Sequence, residues 1–307
     1  MVSFIVIGRN ESWRLEKCFK SILNLVNQDN ILSWELIYVD SKSSDNSCSI
    51  AKQYEAKTFL VEGYCNAAIS RNIGAKEAKG EILFFIDGDM EIVPGFLPQV
   101  LINNQSELVY PFVSGIFNDV IYDRDWKYMY TSRRHNLNEG DNDIYQSTTG
   151  GLFLIENVWW NRLNGMDTRF DGNEDYDFGL RMNKTGYPLL RKSVLLANHN
   201  TLENKMQNIK ISSGKYVALM FRKHIVDLPY IKVFVMSQYT TCMMLLSVVC
   251  SLFAFHWSWV LYLLLLLYKI RKRNVNLLWK TPLRDMLILM SIIFYYPKKR
   301  KLQYVKL

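Results

Sequence analysis

Cysteine is scarce in this chain: five residues in 307, none of them in a CxxC pair. That excludes a disulfide-stapled scaffold and an obvious zinc site, and it suits reduced thiols in a cytosolic compartment. No GxGxxG follows the first apolar run and no GxxxxGK[ST] occurs, so a dinucleotide fingerprint and a P-loop are both missing. A signal peptide is not visible either, because the apolar stretch 2–7 is too short and no basic residues precede it. Acidic residues are nearly absent from the end of the chain. From Lys269 onward 11 Lys and Arg face one acid, Asp285. The whole chain carries +8, so this +10 tail leaves −2 on the first 268 residues. A nucleic-acid binder spreads Lys and Arg over a binding face; charge confined to a tail argues against a nucleic-acid partner. With 49% hydrophobic and 21% charged residues, the chain is neither disordered nor fibrous. Its length allows one large domain or two ordinary ones.

Charge is missing altogether from Val233 to Tyr268, 36 consecutive residues. One helix of that length would measure roughly 54 Å, whereas about 20 residues cross a bilayer. Two short passes are therefore expected, about 233–254 and 256–270, turning where His256, Trp257 and Trp259 would sit at the interface. Arg222 and Lys223 precede the run, and Lys269, Arg271, Lys272 and Arg273 follow it. Positive flanks favour the cytoplasmic side, so an even number of passes suits both. Met286 to Tyr296 is only 11 residues and leads to Pro297 and Lys298-Lys299-Arg300-Lys301. It reads as an interfacial helix with a basic anchor for anionic lipid. The expected division is a body at 1–220 and a membrane-anchoring region at 221–307, ending in an amphipathic basic tail at 275–307. The body is expected at the cytoplasmic side of the cell (inner) membrane.

Within the body, short β-branched and apolar runs alternate with helical spacing four times in 87 residues. Strands are expected at 2–7, 34–39, 58–61 and 81–86, and helices at 13–26, about 45–54 and 66–78. Such alternation predicts an α/β fold with a parallel central sheet flanked by helices. Ligands of these sheets bind at the carboxyl ends of the strands. Three of those ends are polar: Gly8-Arg9-Asn10-Glu11, then Asp40-Ser41-Lys42-Ser43-Ser44-Asp45, then Asp87-Gly88-Asp89.

Asp87 and Asp89 flank a glycine, so both carboxylates can turn toward one hard cation, Mn²⁺ or Mg²⁺. Alone, such a pair is more often a solvated turn. Asp40 is placed to accept a hydrogen bond from a nucleobase or ribose. Arg71, in the helix before the Asp87 strand, offers a guanidinium fork suited to diphosphate. Gly150 and Gly151 let a ligand approach the backbone. Glu174 and Asp175 open a helix within an acidic cluster, and a carboxylate there is suited to take a proton from a hydroxyl. Asp177 and Arg181 are spaced to pair on that helix. His199, expected just past a strand at 189–196, is a candidate third metal ligand. Residues 122–134, aromatic and basic, read equally as an acceptor-side element or as a surface amphipathic helix.

The set and order of these motifs, including Ser70-Arg71-Asn72, resembles the family 2 glycosyltransferases over residues 1–200. The resemblance implies a GT-A fold (Rossmann-like) and inverting, metal-dependent sugar transfer from a UDP-, GDP- or dTDP-sugar. It implies donor contacts from Arg9, Asn10, Glu11, Asp40, Arg71, Asp87 and Gly88. Metal ligation falls to Asp87 and Asp89, with His199, and the acceptor side to Gly150 and Gly151. Asp175 becomes the general base, with Glu174 beside it. The QxxRW motif of processive members is absent, so one sugar per encounter is expected. A membrane-associated lipid or lipid-linked glycan is the expected acceptor. A nucleotidyltransferase and a non-catalytic tethered binding protein are the competing readings. Release of pyrophosphate or metal-independent nucleotide binding would favour them.

Overall fold

The computed structural model describes residues 1–134, 137–203, 210–253, 255–271 and 277–307. The chain divides into two compact units, Met1–Glu203 with Lys299–Leu307, and Asn204–Lys298.

The first unit begins with the expected alternation. Strands β1 (Val2–Gly8), β2 (Trp34–Asp40), β3 (Lys57–Val61) and β4 (Ile82–Asp87) alternate with helices α1 (Ser12–Gln28), α2 (Ser47–Gln53) and α3 (Ala67–Glu77). All three pairings among these strands (β1 with β2, β1 with β4, β2 with β3) are parallel. Their side chains are apolar on both faces because helices cover both. Val2, Phe4 and Val6 pack with Leu15, Phe19 and Ile22 of α1. Ile5 and Ile7 face the other layer with Ile69 and Ile73 of α3. Asn66 caps α3 by accepting from the Ile69 N–H at 2.8 Å, which fixes where that helix starts.

Beyond residue 87 the sheet turns mixed. Short strands β5 (Met90–Ile92), β6 (Leu101–Ile102) and β7 (Glu107–Leu108) precede the long β8 (Phe112–Tyr122), then β9 (Tyr128–Arg133), β10 (Ile144–Gln146), β11 (Phe153–Glu156) and β12 (Leu189–Leu202). Helices α4 (Asn157–Arg162) and α5 (Glu174–Asn183) lie between the last two. Strand β11 runs antiparallel to β4, and β8 runs parallel to β12. Residues 122–134 are thus largely strand and turn, not a helix: β9 folds back antiparallel on β8. His199 lies inside β12 rather than past its end, opposite Asp119 of β8 and Met90 of β5.

The second unit holds α6 (Gly214–Lys223), α7 (Leu228–Ser237), α8 (Tyr239–Ser251), α9 (Ser258–Ile270) and α10 (Leu277–Phe294). Among the described residues no single helix is long and apolar enough to cross a membrane. The pass expected at 233–254 is broken, because α7 and α8 meet at 86°. Gln238 leaves helical geometry there (φ −110°, ψ 32°), and its side chain accepts from Arg284 at 2.8 Å. The expected second pass begins at Ser258, two residues late, and has 13 residues.

The tail also departs from expectation. Its last residues form β13 (Tyr304–Lys306), which pairs antiparallel with β3 and belongs to the first unit. Arg300, expected to meet lipid headgroups, instead pairs with Asp171, receives Thr168 Oγ1–H on its carbonyl at 3.0 Å and stacks over Tyr64. A specific carboxylate and backbone partners outcompete a diffuse surface charge.

Candidate active site

Register places the polar strand ends side by side. Gly8 pairs with Asp40, and Ile7 with Asp87. The carboxyl ends of β1, β2 and β4 therefore open on one cleft of about 400 Å³, lined by Arg9, Glu11, Arg71, Asp87, Asp89 and Glu174 among others. Four carboxylates converge on it, and Arg71 pairs with two of them.

Arg71 is the centre of this charge arrangement. It projects from α3, is 3% exposed, and bridges Asp87 at 2.7 Å to Glu174 at 3.0 Å. Burial opposes its charge, but Asp87, Glu174 and Asp175 outweigh that and raise its pKa. Burial pushes Asp87 up to about 6; Arg71 pulls it down and Asp89 pushes it up. Glu11 is raised too, chiefly by burial. Asp89 differs. Burial opposes its ionisation, yet His199 and then Arg14 hold its carboxyl below the usual range.

His199 Nε2 lies 3.2 Å from Asp89, and Nδ1 lies 2.7 Å from Asp119. Burial disfavours the imidazolium, but the hydrogen bonds to Asp119 and Asp89 overcome it and carry the pKa to about 9. Among the described residues no three His, Cys, Asp or Glu side chains are grouped to hold a metal. Asp87 faces Arg71 while Asp89 faces His199, so the three expected ligands are not gathered on one point. Asp89 nevertheless has a buried Oδ1 with no hydrogen-bond partner among the described residues. An orphaned carboxylate oxygen beside a raised Asp87 fits a site for a hard cation.

Asp40 is fully buried. It accepts from Tyr38 O–H at 3.0 Å and from the Ser43 N–H at 2.7 Å, so it shapes the loop after β2. Asn10, at φ 58°, ties that loop to the end of β1 by accepting from the Ser44 N–H at 2.8 Å. Gly88 stands between the two aspartates, and its N–H donates to the Ile7 carbonyl at 2.8 Å.

The glycine pair serves the site in an unexpected way. Gly151 has φ +87°, and a Cβ there would lie 2.1 Å from Asp87 Oδ2. Its bare backbone makes room for the Asp87 carboxylate. The Gly150 N–H reaches Asp175 Oδ2 at 3.1 Å, joined by Thr148 Oγ1–H at 2.9 Å. Asp175 is thereby fixed in the first turn of α5, next to Glu174. Asp177 is wholly buried and pairs with Arg181 at 2.9 Å, as the spacing predicts.

Three contributors escaped the sequence reading. Arg14, one turn into α1, pairs with Glu11 and approaches Asp89 at 3.7 Å; its i, i+3 spacing from Glu11 was the available signal. Asp119 gave none. Nor did Arg191, a fully buried residue that donates to the carbonyls of Gly115 at 2.5 Å and Thr148 at 3.1 Å. Burial and the nearby Arg134 lower its pKa to about 10.

Comparison with known proteins agrees with this geometry. The family model described as Glycosyl transferase family 2 matches residues 3–159, just over half of the chain. A probable N-acetylgalactosaminyltransferase 7 from Caenorhabditis elegans is 25% identical over 222 residues, 60% of this chain and 36% of that protein. The poly(ribitol-phosphate) beta-N-acetylglucosaminyltransferase TarP of Staphylococcus aureus is 32% identical over 93 residues, 29% of this chain and 28% of that protein. The chain thus spans about a third of these relatives. The crystal structure of S. aureus TarS aligns with a TM-score of 0.50 at 12% identity, covering 74% of this chain and 40% of that one. The α/β unit, with its mixed sheet between helices, is GT-A-like.

Proposed function

The chain belongs to glycosyl transferase family 2, and we propose that it moves one sugar from a nucleotide-sugar donor to a hydroxyl of a membrane-associated acceptor, inverting the anomeric carbon. The observation that carries this reading is the convergence of Asp87, Asp89 and Glu174 on one cleft, with Arg71 buried between Asp87 and Glu174 and Asp175 beside them.

The donor enters between the ends of β1, β2 and β4, with Arg9, Asn10, Glu11 and the Asp40 loop on the nucleoside side. Asp87 and Asp89 would hold Mn²⁺ or Mg²⁺, and His199 stands against Asp89. When bound, the cation supplies positive charge to the leaving diphosphate. Asp175 comes with Oδ2 already fixed by Thr148 and Gly150, so its orientation is set before the acceptor arrives. It takes the hydroxyl proton as the acceptor oxygen bonds to the anomeric carbon and the bond to the diphosphate breaks. Glu174, tied to Arg71, keeps the guanidinium beside Asp87.

Two features support a lipid or lipid-linked glycan as acceptor. Trp126 packs against Trp13 with ring centroids 3.6 Å apart and planes tilted by 37°, near the exposed Tyr128 and Tyr130 of β9; exposed aromatic faces suit sugar rings. The helices of the second unit expose many large apolar side chains, as a membrane-held enzyme requires.

A panel of UDP-, GDP- and dTDP-sugars, assayed for nucleoside diphosphate release with Mn²⁺ and with EDTA, tests the proposal. One donor class should turn over, and only with metal. Asp175→Asn should lower turnover by roughly 10²–10⁴-fold while donor binding changes less than threefold or so. Full activity of Asp175→Asn would remove it as the base. Pyrophosphate release from a triphosphate would overturn sugar transfer.

A further inference from the structure

Helices α8 and α9 pack on each other as a hairpin, against α10 on one side, and among the described residues many large apolar side chains of their remaining faces and of the tip are exposed. At the tip, Leu252, Phe253, Phe255 and Trp257 are 68–84% exposed. Most polar groups of the hairpin turn inward instead, while His256 at the tip is exposed. Trp259 donates Nε1–H to Ser251 Oγ at 2.9 Å across the turn. Thr241 donates to Asp285 of α10 at 2.7 Å, and Tyr262 to the same carboxylate at 3.3 Å. Positive charge is kept at the open end, where Lys269 meets Thr240 at 2.9 Å and Arg271 lies over Tyr268. Apart from the buried Ser247 hydroxyl, which has no partner among the described residues, this is the pattern a bilayer favours: polar side chains paired internally, an apolar exterior, cations at the headgroups.

Length then decides how far the hairpin reaches. Each helix has 13 residues, about 20 Å at a rise of ~1.5 Å, against a hydrocarbon core of about 30 Å. Helix α7 cannot lengthen α8, because the two meet at 86°. Connectivity gives a second, independent constraint. The chain leaves the first unit after Glu203 and rejoins it at Lys299, where β13 completes the sheet edge. A segment with both ends in one folded body crosses a membrane an even number of times.

Resting on the membrane-held reading above, we infer that α8 and α9 form a re-entrant hairpin. It enters the leaflet facing the first unit, reaches about two thirds of the hydrocarbon depth, and returns without crossing. Helix α10, which carries Lys280, Arg284 and the buried Asp285, does not cross either. The partner is an anionic lipid leaflet, and none of α8, α9 and α10 reaches the opposite face.

The full-length chain, with its five cysteines replaced, tests this with one new cysteine at a time. Phe255→Cys and Phe253→Cys probe the tip, and Lys298→Cys, at an exposed position, probes the connecting segment. Membrane vesicles of each orientation are treated with an impermeant maleimide before and after detergent. Lys298→Cys should react only where the first unit faces the buffer. The tip variants should react at least tenfold more slowly from either side, and fully after detergent. Tip labelling from the face opposite to Lys298→Cys would overturn the re-entrant topology while leaving membrane attachment intact. Fast tip labelling of protein recovered in the aqueous fraction would instead overturn attachment itself. Native Trp257 gives a check on the unsubstituted chain: mid-chain brominated lipid should quench its fluorescence, and Trp257→Phe should lose that part of the quenching.

Discussion

Arg71→Met is the sharpest test of how the site is held together. Methionine keeps the length and apolar contact of the side chain but removes the guanidinium. Asp87 and Glu174 would then face each other, 31% and 13% exposed, with Asp89 and Asp175 close by. Removing one partner of a buried ion pair costs about 3–5 kcal/mol, because the stranded charge keeps its desolvation penalty. The pH dependence carries the diagnosis. Burial already raises Asp87 to about 6 with Arg71 opposing the rise, so without Arg71 the group moves higher still. An acid raised in the folded state adds stability below its unfolded value, near pH 4, and loses it as pH climbs through the folded value. The variant should therefore be most destabilised near pH 8 and recover roughly half of the loss at pH 5, where Asp87 can protonate. Urea unfolding of the first unit in EDTA, at pH 5, 6.5 and 8, measures this. Arg71→Lys, one charge without the fork, should fall midway. A loss under about 1 kcal/mol at pH 8 would refute the reasoning, as would a loss that ignores pH, since a mere packing defect has no reason to titrate.

Gly151→Ala should impair donor turnover and cost about 2 kcal/mol or more, because φ +87° and a Cβ 2.1 Å from Asp87 Oδ2 combine backbone strain with a clash; an unfolding midpoint equal to wild type would contradict this. His199 is raised to about 9, so the stability it lends is complete below pH 6.5 and lost as pH rises through 9. In EDTA the wild type should lose up to about 3 kcal/mol over that window and His199→Gln should not, as parallel urea curves would reveal. Deleting 299–307 removes β13 and the Tyr304–Glu77 contact at 2.5 Å, leaving β3 as a bare edge. Lower thermal stability and faster aggregation are expected, and an unchanged melting curve would count against a structural role for the strand.

The first half of the fold was readable because its signals are local. In β1 to β4, continuous apolar runs end abruptly at Gly8, Asp40 and Asp87, and each end marks a strand terminus. Later elements depend on distant partners. Strand β12 runs on through Asn198-His199-Asn200 because β8 and β5 flank it, although those polar residues alone look like a loop. Strand β13 is three residues long and pairs with a strand more than 240 positions earlier; no periodicity can announce that. The break between α7 and α8 contains neither proline nor glycine, so an apolar run was naturally read as continuous.

The same division holds within the site. Asp40, Asp87 and Asp89 were legible since topology alone puts strand ends at a cleft, and Glu174 and Asp175 since acids open helices. What those residues do to one another was not. Arg71 was expected to wait for a diphosphate, yet it is occupied by Asp87 and Glu174. His199 was expected to face a metal, yet both nitrogens already face carboxylates. Gly151 was assigned to an acceptor, yet its missing side chain accommodates Asp87. In each case residue type gave the chemistry and only packing gave the partner. The site's charges are thus partly paired with one another, Arg71 with Asp87 and Glu174 and His199 with Asp89. A diphosphate and its cation must compete with these internal pairs, so donor affinity should rise when Glu174→Gln frees Arg71 from one of its two carboxylates.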